Sequence, residues 1–266
     1  MPEPLKPCQL AWVLKSVPLI REVRVLEETT STNDFAMDFG RRGEPSGLVV
    51  FAERQTAGRG RLGRVWESQS GLGLWFSLLL RPKMPFTDWA RLTIWAAVAV
   101  AEALETFVDQ PAGIKWPNDI WFNGRKAVGI LTETCTGNGD SFAVVGIGIN
   151  VNHADFPPPL DQTATSLKLL TGKTFERELV AERVLRTLDA RWHQLDGAFA
   201  HLIAETRVRN ILAGKTVRLE RPDGMVSGVA EDIADSGALL LRNQDGTFSE
   251  ITSGEVTLCR TTFNAL

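Results

Sequence analysis

Histidine and cysteine are scarce in this 266-residue chain, at three of each. His153, His193 and His201 give a histidine-based metal site or a Ser/His triad little to work with, and none stands beside a nucleophile motif. Cys8, Cys135 and Cys259 are far apart, odd in number and in no metal-ligand spacing, which suits buried thiols of a reducing compartment rather than a disulfide framework. No basic stretch followed by an apolar core opens the chain, so no secretory leader is expected. The longest apolar run, residues 94–101, is closed by Glu102 and is too short to span a bilayer. A cytoplasmic protein without a membrane partner is the expectation. The formal net charge is −3, which argues against a nucleic-acid binder with its broad basic footprint. No glycine-rich loop ends in Lys-Ser or Lys-Thr, so there is no P-loop. The glycines of Gly146-Ile147-Gly148 lack the full dinucleotide pattern and the helix that should follow it.

What remains is an ordinary soluble composition, 44% hydrophobic and 23% charged, long enough for one large domain or for a main domain plus a small one. One run stands out: Arg54-Gln55-Thr56-Ala57-Gly58-Arg59-Gly60-Arg61-Leu62-Gly63-Arg64-Val65-Trp66. It holds four arginines and three glycines with no acid among them. Glycines let a backbone turn tightly and approach a ligand, and arginines present planar charged forks to carboxylate and phosphate oxygens. The run reads as a loop that folds around something small and anionic. A solvated Arg/Gly surface loop accounts for it equally when it is taken alone.

The pattern along the chain predicts an α+β fold, a mixed β-sheet packed with helices and followed by a small SH3-like β-barrel. Residues 1–22 read as a mixed leader with one helical turn near 10–15. A short strand is expected at 24–26, and Ser31-Thr32-Asn33-Asp34 offers caps for a helix ending near Gly40 and Gly43. Strands follow at 48–52 and 72–80. A long helix is expected after a cap at Thr87-Asp88, with Leu92, Trp95, Ala96, Ala99, Ala103 and Leu104 at helical spacing. Asn123-Gly124 predicts a tight hairpin between strands at 119–122 and 125–134. A strand at 143–151 and helices at 165–170, 176–194 and 198–211 complete the main domain, assigned to residues 23–212. From 213 to 266, short apolar segments alternate with turns at Pro222-Asp223-Gly224, Asp235-Ser236-Gly237 and Asp245-Gly246, a pattern of five barrel strands.

Three polar segments accompany the Arg/Gly loop. Thr29-Thr30-Ser31-Thr32-Asn33 is a helix start with hydroxyls and free N–H groups, readable as plain capping or as a polar site. Lys115-Trp116-Pro117-Asn118-Asp119 must lie at a strand end or edge, because proline cannot join a central ladder. Lys126, just past the hairpin turn, either points into a site or sits exposed as most lysines do.

In this order and spacing, these segments resemble the biotin–protein ligases, also called biotin–[acetyl-CoA-carboxylase] ligases. The resemblance is carried by Ser31-Thr32-Asn33, by Gln55-x-Ala57-Gly58-Arg59-Gly60-Arg61-x-Gly63-Arg64-x-Trp66 and by Lys115-Trp116-Pro117-Asn118-Asp119. It continues through Gly124-Arg125-Lys126-x-x-Gly129-Ile130-Leu131-x-Glu133 and Gly146-x-Gly148-Ile149-Asn150. It covers roughly residues 24–260. The resemblance implies a two-step reaction in which biotin and ATP form biotinyl-5′-AMP, and a lysine of a biotin carboxyl carrier protein, part of acetyl-CoA carboxylase, then takes the biotinyl group. Mg2+ is expected with the triphosphate. Only thirty residues precede Ser31, where repressor members of the family carry a DNA-binding domain. A ligase of the form lacking that domain is therefore expected.

By the same resemblance, Arg59, Arg61 and Lys126 bracket the biotin carboxylate and the α-phosphate as catalytic charges. Asp119 is a magnesium-linked or lysine-orienting carboxylate. Ser31, Thr32, Gln55 and the backbone at Gly58 and Arg59 would meet the neutral ureido head, with Asn33 and Gly60 in the same biotin site. Trp66, Gly129 and Leu131 would wall the rings and valeryl chain, and Arg64, Lys115, Asn118 and Asn150 would meet the nucleotide. With like charges and little apolar surface, the loop should be poorly ordered when empty and close over the adenylate. A lipoate–protein ligase shares the fold and the adenylation logic, and a non-catalytic phosphate- or RNA-gripping module is the alternative from another class. The oligomeric state stays open, with a homodimer through the central domain frequent in the family.

Overall fold

The computed structural model describes residues 3–11, 16–137, 141–221 and 224–258. Cys259, Pro222-Asp223, most of the turn expected at 10–15 and the last residues of the barrel segment lie outside them.

The apolar runs become the strands of a seven-stranded sheet of order β1-β2-β3-β7-β6-β5-β4. β1 (Glu22–Thr29) and β2 (Leu48–Gln55) are parallel, joined by the crossover helix α2 (Thr32–Arg41). The other neighbours are antiparallel: β3 (Gly73–Leu80), β7 (Phe142–Asn150), β6 (Arg125–Cys135), β5 (Asp119–Phe122) and β4 (Gly113–Lys115). Every residue of β3 is buried, because both sheet faces are covered. Val49, Phe51, Phe76 and Leu78 point into the main core, whereas Leu48, Val50 and Leu79 pack with Ala36 under α2. The main-core face is closed by α3 (Arg91–Glu105) and α5 (Arg177–Trp192), tied where Trp95 Nε1 donates to Leu188 O at 3.1 Å.

At the hairpin turn between β5 and β6, Asn123 and Gly124 take φ of 48° and 73°, the positive values that the pair was expected to tolerate. The short strand β4 gave no signal of its own. It is an edge strand that residues following α7 (Phe199–Arg209) cover, where Ile211 N donates to Ile114 O at 3.1 Å. α3 starts at Arg91, later than the expected cap. A 3₁₀ turn at Phe86–Asp88 intervenes, with Trp89 buried and its Nε1 donating to Met84 O. The remaining helices are α1 (Pro7–Ala11), α4 (Leu167–Thr171), capped by Ser166, and the short α6 (Gln194–Gly197).

The described residues ahead of β1 pack against the main domain. Leu5, Leu10, Val17 and Ile20 are buried in the main core. Leu5 N and the buried Arg177 guanidinium both hydrogen-bond Glu53, and Arg177 also reaches Glu3 O.

The C-terminal strands β8 (Lys215–Arg221), β9 (Gly224–Ile233), β10 (Leu239–Arg242), β11 (Phe248–Ile251) and β12 (Glu255–Leu258) form an antiparallel, SH3-like sheet of order β11-β10-β9-β8-β12. It meets the main domain where Trp116 Nε1 donates to Gly237 O at 3.0 Å and Arg207 Nε to Ile233 O at 2.7 Å.

Candidate active site

A cavity of about 520 Å³ opens between the start of α2, the strands β6 and β7, the Arg/Gly loop, the 115–119 turn and β12 of the barrel. Its innermost wall is a set of short neutral polar groups. Ser31 caps α2, its side chain accepting from Asn33 N. Thr32 N donates to Gln55 Oε1 at 2.8 Å, and Gln55 Nε2 to Ser68 Oγ at 2.8 Å. Ser77 Oγ, from the fully buried centre of β3, lies 2.6 Å from Asn33 Oδ1 and 2.7 Å from Thr32 Oγ1. The cap residues therefore build a polar cradle as well as starting a helix.

The floor beside this cradle has no side chains. Gly129 and Gly148 are paired across β6 and β7, with Gly146 opposite Leu131. The Trp66 ring lies on Gly129 and Gly148, so that a Cβ on either would come within 2.7 Å and 2.6 Å of it. At Gly146, a Cβ would stand 2.1 Å from Asn33 Oδ1. These glycines supply close approach, which is why that segment failed as a dinucleotide motif and yet is rich in glycine. Trp66 also meets Trp75 edge-on at 6.1 Å, and Lys126 Nζ lies 5.1 Å from its ring centroid.

The Arg/Gly loop closes on itself as a small hairpin: Trp66 N donates to Gly58 O at 2.9 Å and Gly60 N to Arg64 O at 2.7 Å. Its tip turns through Leu62 (φ 51°) and Gly63 (φ 74°). Each arginine has an oxygen partner. Arg54 pairs with Glu28 at 3.0 Å, and Arg59 with Asp34 at 2.6 Å and Glu133 at 3.0 Å. Arg61 donates to Gly254 O at 2.9 Å and Arg64 pairs with Glu255 at 3.0 Å. The self-repulsion expected of the run is thus offset by acids and a carbonyl that lie outside it. Partial burial works against the Arg59 charge, yet Glu133 and Asp34 hold its pKa above the ordinary value. Burial pulls Arg61 below its ordinary value, against the opposing pull of Glu255 and Asp119.

Beyond the loop, Lys126 Nζ sits 2.7 Å from Asp119 Oδ1, a carboxylate that is itself buried. Lys115 lies over the Trp121 ring at 5.4 Å, and burial depresses its pKa while Asp119 and Glu255 oppose the shift. Asn118 Nδ2 donates to Ile130 O at 2.6 Å and Asn150 Nδ2 to Thr165 O at 3.1 Å, so both amides are fixed in the wall. All the residues singled out from sequence line this cavity except Gly58. Gly58 is packed beneath it, where a Cβ would stand 2.4 Å from Trp66 O.

Sequence reasoning missed several participants. Ser77 and Ser68 hold the cradle, Asp34 and Glu133 hold Arg59, and Gly254 and Glu255 come from the barrel. Trp75, His153 and Phe156 form an aromatic end wall, with the His153 and Phe156 rings stacked at 4.9 Å. Glu133 alone carried a signal, as the acid closing the β6 motif.

Burial pushes the His153 imidazole down to about 4, with Asp155 opposing weakly, and its Nδ1 is buried without a hydrogen-bond partner. A histidine whose folded pKa lies below its unfolded value of about 6.5 leaves the unfolded chain holding the extra proton in between. Stability should therefore fall as pH drops from 6.5 towards 4. Denaturant midpoints for His153→Gln should lose that part of the slope, and an unchanged slope would assign it elsewhere.

Fold and site together define a class. Residues 25–152 match the Biotin/lipoate A/B protein ligase family and residues 213–258 the Biotin protein ligase C terminal domain. The chain is 36% identical over 263 residues to the "Bifunctional ligase/repressor BirA" of Bacillus subtilis, covering 97% of this chain and 80% of that protein. It is 36% identical over 242 residues to the "Biotin--[acetyl-CoA-carboxylase] ligase" of Mycobacterium tuberculosis, covering 89% of this chain and 88% of that one. Among solved structures, the biotin protein ligase from Aquifex aeolicus in complex with biotin and ATP superposes with a TM-score of 0.79. It shares 33% identity, with 91% of this chain and 100% of that chain covered. The chain belongs to the biotin protein ligase family. Among the described residues, no helix is long and apolar enough to cross a membrane.

Proposed function

We propose that the protein joins biotin to ATP as biotinyl-5′-AMP and passes the biotinyl group to a lysine of a biotin carboxyl carrier protein of acetyl-CoA carboxylase. Residues 23–212 would form the catalytic unit and residues 213–266 the barrel that completes it. The observation that carries this reading is the polarity of one continuous cavity, neutral at the cradle and cationic beyond it. A ureido ring, with one carbonyl acceptor and two N–H donors, needs short neutral partners, which Ser31, Thr32, Asn33 and Gln55 supply. Apolar rings and a valeryl chain suit the glycine floor with Trp66 and Leu131. The carboxylate then reaches Arg59, Arg61 and Lys126.

In the first step a biotin carboxylate oxygen attacks the α-phosphorus, and pyrophosphate leaves. An anion is brought onto a polyanion, so fixed cations that meet the developing charge lower the barrier. Lys126, with Asp119 orienting its ammonium, and Arg61 fill that role, while Arg64, Lys115, Asn118 and Asn150 hold the nucleotide. In the second step a carrier lysine amine attacks the acyl carbon and AMP leaves, with the same cations stabilising the departing phosphate. The loop hairpin over the cavity shields the mixed anhydride from water.

Among the described residues, no group of three or more His, Cys, Asp or Glu could hold a metal ion. A magnesium ion accompanying the triphosphate would screen the phosphate charge. Asp119 and Glu255 are the carboxylates that flank the cation cluster and suit such an ion. The protein would work in the cytoplasm, where its substrates are made. The decisive test is biotin-dependent ATP–pyrophosphate exchange by the purified protein, with lipoate as the competing acid. Exchange with biotin and none with lipoate is expected; the reverse would make it a lipoate ligase, and no exchange with either would remove the enzymatic reading.

A further inference from the structure

Glu133 occupies a junction that the reaction as described does not use. It extends from β6 between the Arg/Gly loop and the start of α2. Its two oxygens accept from Arg59 Nη2 at 3.1 Å and 3.0 Å, and Oε2 also accepts from Asn33 Nδ2 at 2.6 Å. Asp34 takes the other guanidinium nitrogen, at 2.6 Å. Asn33 is buried and its amide is otherwise fixed, with Ser77 Oγ at Oδ1 and Gly146 leaving the space beside it. One carboxylate therefore binds both the ring cradle and the first arginine of the loop.

We propose that Glu133 is a positioning residue for adenylation, parking Arg59 at the mouth of the cavity while it orients Asn33 within the cradle. This rests on the ligase reading above. The two roles differ physically. The Asn33 amide is itself buried, and losing the acceptor would leave one of its N–H groups unpaired. The Arg59 side chain is 40% exposed, as is that of Asp34, and that of Glu133 is 32% exposed. Ion pairs that open to water contribute little, so they release easily. A parked Arg59 exchanges one carboxylate for another as the substrate anion enters, and at no stage is its charge left without a partner. A tight structural lock would be more deeply buried, as Arg177 and Glu53 are, at 4% and 9% exposure of the side chain. With Arg59 gone to the substrate, Glu133 still holds Asn33, so the cradle keeps its shape through the step.

The experiment compares Glu133→Gln with Glu133→Ala, measuring biotin affinity calorimetrically without ATP and adenylate formation under steady state. Glu133→Gln keeps an amide oxygen for Asn33 but removes the charge. Biotin affinity should stay within about threefold of the wild type, while kcat/KM for ATP falls by about tenfold as Arg59 loses its station. Glu133→Ala should also weaken biotin binding by about tenfold, the cost of one orphaned buried amide. In an Arg59→Ala background, Glu133→Gln should add no further loss of adenylation, a non-additivity that a general structural role would not give. Normal adenylation by Glu133→Gln, or full additivity with Arg59→Ala, would overturn the proposal. If Glu133→Ala fails to fold, the split between affinity and rate in Glu133→Gln decides alone. An active wild type with unaffected variants removes only this proposal; an inactive wild type that binds no biotin removes the ligase reading and this with it.

Discussion

Lys126→Ala is expected to slow adenylate formation by on the order of 10²–10³, the usual loss when one fixed donor to developing charge is removed. The lysine is placed for that role by four contacts. Its backbone N–H donates to Thr163 O at 2.7 Å and its carbonyl accepts from Thr165 N at 2.8 Å, which fixes the start of β6. Its ammonium is held 2.7 Å from Asp119 and lies 5.1 Å from the Trp66 ring centroid. The ammonium meets the carboxylate end and not the ureido ring, so biotin affinity should change less than the rate. The measurement is single-turnover formation of biotinyl-5′-AMP alongside calorimetric binding of biotin. Asp119→Asn is the companion variant: it leaves the lysine charge but releases its aim, and a smaller rate loss is expected. Equal rates for Lys126→Ala and wild type would show that the charge assignment is wrong.

Gly146→Ala should weaken biotin binding by about a hundredfold or more, through a single methyl group. The added Cβ would stand 2.1 Å from Asn33 Oδ1, a separation no contact tolerates. Relief requires Asn33 to rotate out of a site where Ser77, Glu133 and Leu131 O each hold it. Several buried hydrogen bonds would then be left half-made, at about 1–3 kcal/mol for each orphaned group. Gly197→Ala is the control. That residue meets nothing within 4 Å and has no left-handed φ, so a neutral result is expected. Gly146→Ala with wild-type affinity would mean that Asn33 has no part in holding the ring.

The strands expected at 48–52 and 72–80 were legible because a sheet covered on both faces leaves unbroken apolar runs, although β2 continues through Glu53 to Gln55. Asn123-Gly124 was legible because few other pairs accept positive φ twice. β4 was hidden: three residues next to Trp116-Pro117 have no periodicity, and their pairing comes from β5 and from the chain after α7. In the site, the residues that line the cavity were named through the resemblance that their motifs carry. The residues that hold them were not. Ser77 looks like one more member of a buried strand, and Glu255 like a polar residue of a barrel edge. Their roles arise from tertiary proximity, as does the neutralisation of the arginines. No local reading of 54–66 could supply the acids at 34, 133 and 255.

The anchoring of the loop also sets a schedule. Arg61 and Arg64 rest on Gly254 and Glu255, which follow them by 193 and 191 residues along the chain. Domains fold largely in the order in which they leave the ribosome. A nascent chain that has emerged only as far as residue 212 already owns the cradle, the glycine floor and the Lys126–Asp119 pair. It does not yet own the counterparts of its two outer arginines. Completion of the cavity is therefore deferred until the barrel strands have emerged, and a chain interrupted before them carries the cradle without a finished roof.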